Sequence, residues 1–114
     1  MTYFTKEFNS FFADLAKNNK TEWFHANKKR YEEFVKVPFE EFVAEMISRM
    51  QKEDPEINIL PKEAIFRINR DLRFSKDKKP YKEWVSAVIS KFGKKDKSYP
   101  GIYFHIGTKG LMLG

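Results

Sequence analysis

The chain contains no cysteine, only two histidines, and five residues each of glycine and proline. Without a thiol there is no disulfide framework, no zinc–thiolate site and no thiol chemistry. The two histidines, His25 and His105, do not form a ligand pair, so no transition-metal site is expected and carboxylate-held Mg²⁺ stays open. The sequence has no Gly-rich phosphate loop, no G-x-S-x-G elbow and no acidic pair at catalytic spacing, which excludes the commonest nucleotide-binding designs. Apolar runs are a few residues long, against the roughly 20 that a membrane-crossing helix needs. No signal-peptide pattern opens the chain. These absences point to a soluble cytoplasmic protein with no membrane contact and no cofactor.

What is present is aromatic and charged. Of the 114 residues, 17% are aromatic, far too many for a disordered chain, and 33% are charged. The length suits one domain, residues 1–114, or the N-terminal part of one. Its formal net charge of +6 is unevenly spread. Residues 1–66 are net −2, whereas the sixteen residues 67–82 are net +5, from Arg67, Arg70, Arg73, Lys76, Lys78, Lys79 and Lys82 against Asp71 and Asp77. A local positive potential attracts phosphate, carboxylate or nucleic acid.

Residues 1–55 read as helical. Phe4, Phe8, Phe11, Phe12 and Leu15 make one apolar stripe at helical spacing. Asn18-Asn19-Lys20 breaks that pattern, and Thr21 reads as the N-cap of a second helix carrying Trp23, Phe24, Tyr31 and Phe34. Val37-Pro38 marks a restart or kink, and Phe39, Phe42, Val43, Met46, Ile47 and Met50 form the clearest stripe, ended by Asp54-Pro55.

Residues 56–114 read as β-rich. Strands are expected over Ile65–Phe74, Trp84–Ser90, Tyr99–Ile106 and Leu111–Leu113, with a polar connection at Lys91–Ser98 and a turn at Gly107–Gly110. Helices followed by an antiparallel meander indicate an α+β fold with the helices on one face of the sheet. The apolar last strand ends at Gly114 without a cap, so further elements are expected to complete the sheet.

The segment Ile65–Phe74 carries the chemical interest. As one strand it places Arg70 among Phe66, Ile68, Leu72 and Phe74, so Arg70 must meet a carboxylate or the strand must bulge near Asn69–Asp71. If the chain turns there, Arg67 and Arg73 can converge and Asp71 becomes the natural bidentate partner of one guanidinium. Ser75, Lys78, Tyr81 and Lys82 follow as a rim, and Asn27 and Glu22 from the second helix close the site from above. The same composition also describes a solvated connection between strands. His105, beside Tyr103 on the polar face of its strand, reads as an ordinary surface histidine.

Three groups of residues have a familiar spacing. They are Asn18-Asn19-x-x-Glu22-Trp23-Phe24-x-x-Asn27-Lys28 with Tyr31; Phe66-Arg67-x-x-Arg70-Asp71-x-Arg73-Phe74-Ser75-x-Asp77-Lys78-x-Pro80-Tyr81-Lys82; and Pro100-Gly101-x-Tyr103. Together they resemble the family of uncharacterised proteins grouped as domain of unknown function 2461. The resemblance implies that the chain is the N-terminal half of a longer protein, and that the basic core and Glu22, Trp23, Asn27 and Tyr31 form a functional unit. It implies no reaction.

Three readings stand at this point. In the first, Arg67, Arg70, Asp71, Arg73, Ser75, Lys78, Tyr81 and Lys82, with Asn27 and Glu22, bind an anionic small molecule bearing phosphate or carboxylate. In the second, basic residues interleaved with Phe74, Tyr81, Trp84 and Tyr103 bind nucleic acid, RNA in particular. In the third, the arginine–carboxylate pairs are scaffolding and function lies in a missing C-terminal part.

Overall fold

A computed structural model describes residues 4–90, 101–107 and 110–113, the last four by backbone only. It contains α1 (Lys6–Lys17), α2 (Thr21–Ala26), α3 (Lys28–Tyr31), a π-helical turn (Glu32–Lys36), α4 (Val37–Glu53), α5 (Pro61–Ala64), and strands β1 (Trp84–Ile89), β2 (Ile102–Gly107) and β3 (Gly110–Leu113). The strands form one open antiparallel sheet in the order β1-β2-β3, so the fold is α+β with a meander. The connection expected at Lys91–Ser98, residues Tyr99 and Pro100, and the turn residues Thr108 and Lys109 lie outside the described residues.

The stripe on α1 is buried as its spacing requires, with Phe8, Phe11, Phe12 and Leu15 fully enclosed. Their rings meet edge to face, Phe8 on Phe12 at 5.1 Å and Phe11 on Phe12 at 5.4 Å. Phe39, Val43 and Ile47 of α4 complete the helical side of the core. Val85, Ala87 and Ile89 of β1, with Phe104 and Ile106 of β2, complete the sheet side, and Phe42 packs on Phe104 at 5.7 Å. Ser86 and Val88, opposite His105 and Tyr103, alternate onto the other face.

The second helix departs from its sequence reading. Lys20, not Thr21, occupies the N-cap, with extended backbone at φ −140°, ψ 149°. The helix then breaks at Asn27, whose φ of −111° and ψ of 16° leave the helical region, and whose amide donates back to the Trp23 carbonyl at 2.9 Å. From Lys28 the chain winds through the π turn directly into α4. Pro38, the second residue of α4, therefore does not start a separate helix. It lacks the N–H that a continuous α-helix would use, and the wider turn just before it absorbs that defect.

The expected strand over Ile65–Phe74 is not formed. Two isolated antiparallel bridges, Ile65 with Ala87 and Asn69 with Tyr81, are its regular pairings. Ile65 and Phe66 lie along β1, where the Phe66 N–H donates to the Ser86 carbonyl at 2.9 Å. The chain then crosses to run beside Pro80–Lys82, with Lys82 N–H donating to Ile68 C=O at 2.8 Å and Arg70 N–H to Pro80 C=O at 2.9 Å. The alternation of apolar residues stops having a sheet to serve at Arg70. Phe74 is 93% exposed, not on a shared face with Ile68.

Candidate functional site

Arg70 and Pro80 close the stem of a loop, residues 71–79, built almost wholly from its own polar groups. The Asp71 carboxylate accepts from Arg73 at three places, the backbone N–H at 3.2 Å, Nε at 3.1 Å and Nη2 at 2.9 Å. This pair holds the Asp71 carboxyl down at about 2, first through the side-chain bond and then the backbone bond. Arg70 turns inward. Its Nη1 donates to the Lys79 carbonyl at 2.9 Å and lies 3.5 Å from Asp77 Oδ2, and its Nη2 donates to Ser75 Oγ at 3.2 Å. Ser75 Oγ donates on to the Asp77 carbonyl at 2.8 Å, and Lys78 Nζ to the Leu72 carbonyl at 3.0 Å.

Behind the loop, Tyr81 is core. It is 4% exposed and its ring stacks on Phe24 at 4.1 Å. Lys82 is half-buried, with Nζ donating to the Arg67 carbonyl at 2.9 Å and lying 5.7 Å from the centre of the Phe66 ring. Burial, and then the nearby Arg67, push its ammonium below the ordinary lysine value.

The ten residues singled out in the sequence thus separate. Arg70, Asp71, Arg73, Ser75 and Lys78 bond among themselves and to the loop backbone. Tyr81 and Lys82 anchor the stem. Asn27 spends its amide on Trp23, and Glu22 lies exposed in the first turn of α2 with no hydrogen bond or ion pair among the described residues. Arg67 behaves differently from the other two arginines. It is exposed, and among the described residues its guanidinium has no hydrogen-bond or ion-pair partner.

Arg67 borders a cleft of about 560 Å³ between the helices and the 65–68 segment. Phe39, Ile65, Phe66, Ile68 and Val85 supply apolar walls, while Lys36, Lys62, Glu40 and Tyr31 supply polar ones. Burial, with help from Glu40 and Glu32, pushes the Tyr31 phenol up to about 12, so it remains a neutral hydroxyl at ordinary pH. A smaller hollow of about 300 Å³ is lined by Arg70, Asp77, Lys79, Tyr81, Glu83 and Trp84. On the sheet face beyond it, the Trp84 and His105 rings stack at 4.8 Å, and Tyr103 Oη lies 3.2 Å from His105 Nδ1. Burial lowers the His105 pKa from its ordinary value. Among the described residues, no three His, Asp or Glu side chains are grouped as metal ligands, and no helix is long and apolar enough to cross a membrane.

A family model matches residues 7–114, from α1 through β3. The chain belongs to the family described as conserved hypothetical protein (DUF2461). No curated protein and no solved structure matches it. In this DUF2461 chain the basic motif is divided: residues 70–82 form the self-bonded loop and its stem, while Phe66 and Arg67 border the cleft.

Sequence reasoning missed two things. In the sequence Asn19 marks only a helix stop, yet its amide holds the stem, donating to the Tyr81 carbonyl and accepting from the Tyr81 N–H. The Asn18-Asn19 pair was the available signal, since two adjacent amides exceed what a helix end needs. Lys36, Glu40 and Lys62 of the cleft gave no signal, being ordinary charges on helix surfaces until the fold sets them opposite Arg67.

Proposed function

We propose that the chain binds a small organic anion in the cleft beside Arg67. The apolar body of the ligand rests on Phe39, Ile65 and Val85, and its carboxylate or phosphate meets Arg67, with Lys36 and Lys62 adding positive potential. The observation that carries this reading is the contrast among three neighbouring arginines. Arg70 and Arg73 are bonded to Asp77 and Asp71, whereas Arg67 borders a largely apolar cleft and, among the described residues, makes no hydrogen bond or ion pair with a carboxylate. Binding sites of this kind are concave and mainly apolar, with a few polar groups that fix orientation. The neutral Tyr31 phenol suits such a site because it adds no competing negative charge.

The test is NMR titration with benzoate, phenyl phosphate and inorganic phosphate. Phenyl phosphate or benzoate should bind more tightly than inorganic phosphate and shift signals of Phe39, Ile68 and Val85. Arg67→Gln should weaken that binding by about tenfold or more, the size expected for a charge-assisted hydrogen bond. Arg73→Gln should leave it within about twofold, a difference too small to register as a lost bond. Equal binding by wild type and Arg67→Gln, or no shift at the cleft residues, refutes the reading.

A further inference from the structure

At the tip of the 71–79 loop stands Phe74, with 93% of its surface in water. It is the most exposed of the large apolar side chains among the described residues. A ring left so open gains nothing from burial, and here the loop is built to hold it out. Asp71 grips Arg73 by three hydrogen bonds, and the Arg73 guanidinium lies 5.7 Å from the centre of the Phe74 ring. Ser75, Asp77, Lys78 and Arg70 brace the remainder of the loop from within. The order that binding normally has to impose on a loop is already present.

Charge around the ring is divided in a useful way. Asp71 and Asp77 face Arg73 and Arg70, so both carboxylates are neutralised inside the loop. Lys76 and Lys79 are exposed, and neither ammonium group has a hydrogen-bond or ion-pair partner among the described residues. The unpaired charge of the loop, Lys76 near its tip and Lys79 near its stem, is therefore positive, with one open aromatic face at the tip.

We propose that this tip is a docking site for single-stranded nucleic acid. An unpaired base stacks on Phe74, and the phosphates on either side of it meet Lys76 and Lys79. Single strands are the class of partner that presents flat apolar rings and regularly spaced negative charge together. A protein pocket for an aromatic anchor is sealed by surrounding contacts that exclude water. Arg73 and Lys76, on either side of Phe74 in sequence, are charged and exposed, and offer no such seal. An anionic membrane is poorly matched too, because one ring supplies little of the buried apolar area that stable anchoring takes. Tyr81, buried against Phe24, plays no part in this surface. The site shares no residue with the Arg67 cleft and does not depend on it.

Fluorescence anisotropy with labelled oligothymidylate and oligouridylate, over a salt series, tests the proposal. Phe74→Ala should weaken binding about tenfold, within the range known for removal of a stacked base's platform, and Phe74→Trp should restore it. Lys76→Ala and Lys79→Ala should each reduce the slope of log K against log salt by about 0.7. Arg49→Gln, an equal loss of charge on α4, should leave the slope unchanged. Because Phe74 is exposed, Phe74→Ala should keep the wild-type circular dichroism spectrum. Absent binding at low salt, or equal binding by Phe74→Ala, overturns the proposal. So does Phe74-dependent binding to phosphatidylserine vesicles without binding to either oligonucleotide.

Discussion

Asn19 and Tyr81 are joined side chain to backbone, as two strands would be. Asn19 Nδ2 donates to the Tyr81 carbonyl at 2.9 Å, and Asn19 Oδ1 accepts the Tyr81 N–H at 3.0 Å. A single amide thus satisfies both backbone groups of a residue whose ring is buried on Phe24. It ties the helical half to the stem of the basic loop across 62 residues of sequence.

Asn19→Ala should cost about 2–4 kcal/mol in urea unfolding, because two backbone groups lose their partners at a half-buried position. Asn19→Asp keeps the acceptor but sets a carboxylate against the Tyr81 carbonyl and against Glu83 Oε2, which lies 3.3 Å from Nδ2 in the wild type. It should also destabilise, and Glu83→Gln should restore part of the loss. An Asn19→Ala cost below about 0.5 kcal/mol, the level of an ordinary surface substitution, contradicts this account.

Tyr31 makes the alkaline side of the stability curve informative. Its phenol is raised from 10.0 to about 12 by burial, with Glu40 and Glu32 adding to the shift. A folded-state value above the unfolded one means stability is fully present below pH 10 and is lost as pH rises toward about 12. Glu40→Gln should lower the Tyr31 midpoint, read by NMR of labelled tyrosine, and Tyr31→Phe should flatten stability over that window. A Tyr31 midpoint near 10 would show that the ring is solvated.

How much of this was legible depended on what each residue answers to. The stripes Phe8-Phe11-Phe12-Leu15 and Phe39-Val43-Ile47 report burial directly, because helical period and core contact are one geometry. Ile65–Phe74 misled because alternation describes side chains, while a strand needs a backbone partner along its length, and past Arg70 the chain has only its own loop. Arg70 did require a carboxylate, but that carboxylate is Asp77, found across the loop. Its place among lysines makes Tyr81 look like a rim residue, yet Phe24 and Asn19, both distant in sequence, draw it inward. The cleft was invisible for the same reason: Lys36, Lys62 and Arg67 meet only through the tertiary fold.

Asp71 and Arg73 predict an acid-side effect at the loop. The Asp71 carboxyl is lowered from 3.8 to about 2, chiefly by its bonds to Arg73. A lowered folded-state value means the stabilising pair is intact above pH 3.8 and is lost as pH falls toward about 2. Carboxyl carbon NMR should place the Asp71 midpoint well below an ordinary aspartate, and Arg73→Gln should return it toward 3.8. Both groups are exposed, so the effect belongs in the loop's local order more than in global unfolding. An unshifted midpoint in wild type would mean that the loop is not held by this pair.

The two glycines at the ends of β2 test how tightly the sheet and the stem are coupled. A methyl group at Gly101 would fall 2.6 Å from the Ile89 carbonyl oxygen, and one at Gly107 would fall 2.8 Å from the Glu83 carbonyl oxygen. Both obstacles are backbone, so the strand must move, and Gly101→Ala and Gly107→Ala should each cost about 1–3 kcal/mol. They should differ in their coupling. A methyl group at Gly107 would press on Glu83, whose carboxylate shares the Asn19 amide with Tyr81, whereas Gly101 lies at the far end of β1 beside Ile89 and Ser90. Gly107→Ala combined with Asn19→Ala should therefore cost less than the two apart, because displacing Glu83 already loosens what Asn19 holds. Gly101→Ala combined with Asn19→Ala should be additive. Urea unfolding of the two double variants decides it, and additivity in both would separate the stem from the sheet edge.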